Sequence, residues 1–169
     1  MSIKFGILFI AFCGLLCVGM GQEKVFPGIM DFGKYETLLQ GKRVALAANQ
    51  TSVVTTYDWV GERKNEPAVS SHTLDFLRAK GVHVVKVFCP EHGFRGDADA
   101  GENIGDYTDQ RTGLPVVSLY GKKKKPAPED LAGVDVVIFD MQDVGVRFYT
   151  YISTLHYLME ACAENDCRL

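Results

Sequence analysis

Glu91, His92, Arg95, Asp97 and Asp99 crowd into one short stretch that also holds Gly93, Gly96 and Gly101. That is more ionisable chemistry than a connecting loop needs, and the glycines let backbone approach a ligand closely. A glutamate emerging from an apolar run suits general acid work, because desolvation favours the protonated carboxyl over its ordinary pKa of about 4.3. Glu91 is therefore the candidate acid. Cys89 and His92 alone are too few for a zinc site, and Cys89 reads as a buried strand cysteine rather than a nucleophile. A divalent cation held by His92, Asp97, Asp99 and Asp140 is permitted by the density of carboxylates but supported by no ligand spacing, so no metal is assigned.

The elements that must position these residues are short. Val82 to Phe88 has the β-branched bias of a strand covered on both faces, and Pro90 holds Cys89 extended, so Glu91 and His92 emerge just past its carboxyl end. Before it, a short helix is expected around Tyr35 to Leu39, then a strand Val44 to Ala48 leaving into Asn49-Gln50-Thr51. Thr55 to Pro67 has no clear period and reads as a loop. A helix follows from a Ser71 cap, with Leu74 and Leu77 three apart and Gly81 ending it.

Beyond the charged loop, Thr112-Gly113-Leu114-Pro115 is turn chemistry leading into a strand Val116 to Leu119, which delivers Tyr120. Lys122 to Lys125 read as a solvated loop. Pro128-Glu129-Asp130 opens a helical turn. Val134 to Phe139 is a fourth strand, leaving into Asp140, Gln142 and Asp143. Thr150 to Glu164 is a helix whose stripe is Ile152, Leu155, Leu158, Met159 and Cys162, stopping near Asn165. Short strands alternating with helical connections imply an α/β, Rossmann-like fold: a mostly parallel sheet flanked by helices, with right-handed crossovers.

Four strands would then release polar residues at one sheet edge: Asn49 and Gln50; Glu91 and His92; Tyr120; Asp140, Gln142 and Asp143. A pocket at the carboxyl ends of a parallel sheet requires that convergence. The first strand lacks G-x-G-x-x-G, so a dinucleotide is not expected, and no cofactor is assigned. Amides, a phenol and carboxylates suit a polyhydroxylated ligand, and a sugar is the natural choice. Glycosidic cleavage needs an acid and a base or nucleophile, most often two carboxyl groups. Asp140 and Asp143 are candidates for the second, although either also suits bonding to neighbouring amides or pairing with Arg147. Tyr120 would orient substrate or assist proton transfer. Asp140, Gln142 and Arg147 are expected to form one hydrogen-bonded group behind the pocket.

The chain of 169 residues is one domain's worth, with 47% hydrophobic and 11% aromatic residues to build a core. Lys4, the apolar run Phe5 to Val18 and small residues at Gly19 and Gly21 have the three regions of a secretory signal, giving a signal segment 1–21 and a domain 22–169. A lipoprotein reading is weaker, since small residues do not precede Cys13 or Cys17. The apolar run is too short for a membrane span, so the protein is expected to be exported, periplasmic or extracellular. Losing Lys4 takes the formal charge from −3 to −4, which argues against a nucleic-acid partner. Cys89, Cys162 and Cys167 remain, an odd number with no disulfide framework; Cys162 with Cys167 is the one local pair.

Asn49-Gln50-Thr51, Pro90-Glu91-His92-Gly93-Phe94-Arg95-Gly96, Gly113-Leu114-Pro115-Val116 with Ser118-Leu119-Tyr120-Gly121, and the run Asp140 to Tyr151 together resemble the exo-acting β-N-acetylmuramidases, long filed as a domain of unknown function. The resemblance runs from about Gly28 to the last residue. It implies removal of N-acetylmuramic acid from the non-reducing ends of peptidoglycan fragments, in cell-wall recycling, by a Rossmann-like domain joined to a carboxyl-terminal one. The family's catalytic glutamate falls on Glu91 and its active-site tyrosine on Tyr120. Asn49, Gln50, His92, Arg95, Asp140, Gln142, Asp143 and Arg147 are the expected substrate-binding set. The chain departs from the family between Val53 and Ser70, where a longer loop carries Trp59 and Arg63.

The family's carboxyl-terminal domain is not in the sequence, and Asp166 to Leu169 read as a turn feeding another strand. An open sheet edge would favour self-association, and the chain alone would bind muramyl sugars weakly and turn them over poorly. A non-catalytic sugar-binding domain is the competing reading, and a metal-dependent hydrolase the third.

Overall fold

The computed structural model describes residues 27–56, 69–96 and 105–169. The expected signal segment 1–21 and the loop residues Trp59, Arg63, Asp97 and Asp99 lie outside the described residues. The central strand, β1 (Val44–Ala48), is buried at every position, as a strand covered on both faces must be. It pairs in parallel with β4 (Val84–Cys89) on one side and β7 (Val136–Asp140) on the other. β4 pairs in parallel with β6 (Pro115–Ser118), and the two-residue β5 (Tyr107–Thr108) closes that edge antiparallel, giving the order β5-β6-β4-β1-β7. β2 (Val53–Thr56) and β3 (Val69–His72) form a separate antiparallel pair.

The alternation of β1 divides the core. Val44, Leu46 and Ala48 pack with Leu39 of α1 (Phe32–Leu39) and with Leu74 and Leu77 of α2 (Thr73–Ala79). Ala45 and Ala47 face the other way, toward Leu131 of α3 (Pro128–Leu131) and toward α4 (Tyr151–Glu164), which contributes Tyr151, Leu158, Ala161 and Cys162. Leu158 is fully buried, so its truncation to alanine would cost about 2–5 kcal/mol and loosen the whole helix.

Several boundaries differ from those read in the sequence. The cap of α2 is His72 rather than Ser71, whose backbone is taken by pairing with Val54 in the β2–β3 ladder. Thr55 and Thr56 also belong to that ladder, not to a loop; residues 57–67 lie outside the description. β5 carries too few residues to show a period. On α4 the buried stripe is Tyr151, Thr154, Leu158, Ala161 and Cys162, while Ile152 and Met159 are 61% and 55% exposed. Apolar residues occupy two faces of this helix, and the face with the small residues Thr154 and Ala161 allows close approach to the alanines of β1.

α4 ends in a left-handed residue, Asp166 at φ 52, and the Cys167 amide returns to the Cys162 carbonyl at 3.0 Å. This is the long bond of a Schellman cap. The Asn165 side chain donates to the Ala161 carbonyl at 2.8 Å. Arg168 then bridges Val136 in parallel, beside β7. Among the described residues no helix is long and apolar enough to cross a membrane.

Candidate active site

β1, β4, β6 and β7 run parallel, so their polar exits do share one edge. The register of β4 and β6 settles which exits meet. Cys89 pairs with Ser118, and the Leu119 amide donates to the Cys89 carbonyl at 2.8 Å. Glu91 and Tyr120 therefore stand equally far beyond their strands, and the Tyr120 phenol donates to Glu91 Oε1 at 2.9 Å. That bond, first, and partial desolvation raise the Tyr120 pKa above its usual value, so the phenol stays a donor to higher pH.

The pair lines a cavity of about 180 Å³ with Leu119, Lys124, Thr150, Ser153 and Tyr157. Among the described residues lining it Glu91 is the one carboxylate. The volume lies below the range of about 300–1,000 Å³ usual for a complete small-molecule pocket.

Three anchors hold the loop that presents Glu91. Phe94 is fully buried, its amide donates to the Tyr107 hydroxyl at 3.3 Å, and its ring and that of His72 pack edge to face with centroids 4.7 Å apart. Arg95 makes a two-pronged bond to Asp109, Nε to Oδ1 at 3.1 Å and Nη2 to Oδ2 at 2.9 Å. The guanidinium, with the Thr112 hydroxyl and amide, holds the Asp109 carboxyl below the usual range against the cost of its burial. Gly96 sits at φ +72 over Gln50, where a Cβ would come within 2.9 Å of the glutamine side chain. His92, half-buried, has φ 72, a conformation uncommon outside glycine and concentrated at functional sites.

The β1 exit is a closed network. Asn49 is fully buried; its Oδ1 accepts from the Thr51 amide at 2.9 Å and hydroxyl at 2.7 Å. His72 Nδ1 accepts from the Leu74 amide at 3.1 Å, so Nε2 carries the proton and donates to the Asn49 carbonyl at 2.9 Å. Burial lowers the His72 pKa, in keeping with that neutral tautomer. The Asn49 Nδ2 has no hydrogen-bond partner of ordinary geometry among the described residues. Its dipole acts on the Tyr151 phenol, whose pKa is raised by burial first and then by Tyr149.

Asp140 is not among the residues that line the Glu91–Tyr120 cavity. Its Oδ2 accepts from Thr73 Oγ1 at 2.5 Å, and its carbonyl accepts from the Ser52 hydroxyl. It lines a separate apolar cavity of about 380 Å³ with Tyr35, Leu38, Phe139 and Leu169, where burial and then the Asp140 charge push the Tyr35 phenol up to about 12.

The expected Asp140–Gln142–Arg147 group does not form. The Gln142 amide donates to Thr51 Oγ1 at 3.3 Å, and Arg147 is exposed without a hydrogen bond or ion pair among the described residues. The exit loop turns outward after Met141, so Arg147 never reaches the carboxylate of Asp140. Asp143 accepts from the Gly145 amide at 2.7 Å in a local turn. Among the described residues no three His, Cys, Asp or Glu side chains gather as a metal site.

Sequence reading missed Thr73, His72, Asp109 and the cavity wall from α4. Tyr151 sat at the end of a motif already noted, but its burial beside Asn49 had no local signal.

Residues 44–169 match the family described as exo-β-N-acetylmuramidase NamZ, N-terminal. The chain is 46% identical over 132 residues to the peptidoglycan β-N-acetylmuramidase NamZ of Bacillus subtilis strain 168, covering 78% of this chain and 29% of that relative. Crystal structures of two DUF1343 family proteins from Bacteroides fragilis NCTC 9343 superpose on it. One gives a TM-score of 0.67 at 39% identity, over 87% of this chain and 34% of that one; the other gives 0.62 at 36%, over 86% and 33%. The mostly parallel sheet flanked by helices is common to them, and this chain spans about a third of the length of these relatives.

Proposed function

The chain belongs to the exo-β-N-acetylmuramidase NamZ family, matching its amino-terminal domain, and from that premise we propose that it serves a cell-wall glycoside hydrolase that removes N-acetylmuramic acid from the non-reducing ends of peptidoglycan fragments. The observation that carries the reading is the Tyr120–Glu91 hydrogen bond at the mouth of a small cavity. Glu91 is the general acid, giving its proton to the glycosidic oxygen. Tyr120 holds the carboxyl group in place through Oε1. Asp140 and Asp143 are spent on Thr73 and Gly145, and hold the β7 exit in place. Gln50, His92, Gln142 and Arg147 are the residues proposed to rim the sugar site; Asn49, fully buried, supports it from within the β1 exit network, and Arg95 shapes it through Asp109.

Residues 1–21 are proposed to direct export to the periplasm or medium. Self-association is proposed through the side of β7 away from β1, which among the described residues meets the isolated bridge from Arg168 and no further strand.

The test is digestion of defined peptidoglycan fragments, followed by mass spectrometry, with this chain alone and with it replacing the corresponding third of the Bacillus subtilis relative. Free N-acetylmuramic acid, released in excess chelator, supports the proposal. Internal fragments only, or loss of release on chelation, would overturn it.

A further inference from the structure

The four consecutive lysines are not equivalent. Lys123 pairs with Asp106 at 3.0 Å and Asp130 at 3.3 Å, and Lys125 with Glu164 at 2.7 Å and Glu160 at 3.3 Å. Both side chains are thereby drawn down onto the body of the domain. Lys124, between them, makes no ion pair among the described residues and lines the Glu91–Tyr120 cavity. Pinning its two neighbours fixes the direction in which Lys124 leaves the backbone, at less entropic cost than an isolated surface lysine would carry.

An ammonium beside a sugar site has a specific use. N-acetylmuramic acid differs from N-acetylglucosamine by a lactyl ether on the ring that ends in a carboxylate. A cation there adds a charge-assisted bond to the first sugar and nothing to the second. We propose that Lys124 is a specificity-determining residue that reads the lactyl carboxylate. This rests on the assignment of the cavity to a muramyl sugar.

The experiment measures the Kd of N-acetylmuramic acid and of N-acetylglucosamine by NMR titration of the wild-type chain, Lys124→Gln, Lys124→Arg and, as a control off the cavity, Lys122→Gln. Expected is a loss of about 3–10-fold for N-acetylmuramic acid in Lys124→Gln alone, fading at high salt, with N-acetylglucosamine unchanged and Lys124→Arg restoring most of the loss. Equal weakening of both sugars, or no weakening, overturns the role of Lys124. Failure of the wild-type chain to bind either sugar overturns the cavity assignment instead, and the inference falls with it.

A second inference stands on the end of α4. In a Schellman cap the third residue from the end and the second beyond it touch; here they are Cys162 and Cys167, joined by the 3.0 Å backbone bond. Contact between these two positions is the first requirement of a disulfide, whose Cα atoms stand about 4.4–6.8 Å apart. Both thiols are free and buried, at 2% and 9% exposure, and Cys167 is the one that borders an open cleft, with Lys42 and Asp135, so an oxidant would have to reach the pair from that side. We infer that Cys162 and Cys167 form a disulfide by exchange with a small-molecule or protein disulfide, the two thiols losing two protons and two electrons as the donor is reduced to two thiols.

The check is incubation of the purified chain with oxidised glutathione, alkylation, cleavage at Glu164 and mass spectrometry, with a thermal melt. Expected is a Cys162–Cys167 link, 2 Da lighter than the dithiol, and a midpoint raised by roughly 5 °C. The gain should be absent in Cys162→Ser. Full alkylation of both thiols, a link to Cys89, or a lowered midpoint overturns it.

Discussion

Tyr120 Oη and Glu91 Oε1 stand 2.9 Å apart, although the two residues come from different strands. The contact exists because β4 and β6 pair in parallel with Cys89 opposite Ser118, and each chain then runs two residues further. Any slip of that register would separate the acid from its donor.

Tyr120→Phe removes this bond without touching the core. Turnover by the active two-domain chimera should fall about 10–100-fold, the range for losing a hydrogen bond to a charged group, while the thermal midpoint stays within about 1 °C. In Glu91→Gln, the Tyr120 phenol should titrate closer to 10, since its raised pKa comes chiefly from the glutamate. An unshifted Tyr120 resonance on pH titration would show that the contact is absent in solution.

Asp109→Ala leaves Arg95 unpaired in a site where the two side chains are 5% and 18% exposed. The cost should be about 3 kcal/mol, measured by denaturant unfolding. Its pH dependence has a definite sign. The folded pKa of Asp109 lies below 3.8, so its contribution is complete above that value and is lost as pH falls through the lower, folded pKa. Wild-type stability should therefore drop below about pH 4 more steeply than that of Asp109→Asn.

Gly96→Ala places a Cβ 2.9 Å from Gln50 at a φ of +72. Steric overlap and backbone strain together should cost about 1–3 kcal/mol and lower turnover by moving the Glu91 loop. Melting and assay of the same preparation check both. An unchanged melting midpoint would mean the loop does not pack on Gln50.

Arg147→Ala should leave the thermal midpoint within about 1 °C, as for other exposed positions without partners, and affect sugar binding alone. The opposite, a loss of stability, follows from the sequence, where Asp140, Gln142 and Arg147 share one strand exit and invite one network. What decides the matter is Thr73, far along the chain, which takes the Asp140 carboxylate.

The rest of the site divides in the same way. The strands and their shared edge were legible because buried parallel strands write themselves as continuous β-branched runs, as in Val84 to Phe88. Glu91 and Tyr120 were legible because each follows such a run. Asp109 as the partner of Arg95 was not, since side-chain pairing across a loop leaves no periodic trace. Nor was the face α4 buries, because Ile152 and Met159 are as apolar as Leu158 and only the alanines of β1 choose between them.

The most direct measurement is hydrolysis of a chromogenic N-acetylmuramic acid glycoside by the two-domain chimera and its Glu91→Gln variant, with sugar affinity determined on both. Turnover should fall about 10²–10⁴-fold while affinity changes little, because the amide keeps the carboxyl shape but has no proton to give. Turnover of Glu91→Gln within a few-fold of the parent would contradict the assignment of Glu91 as the acid.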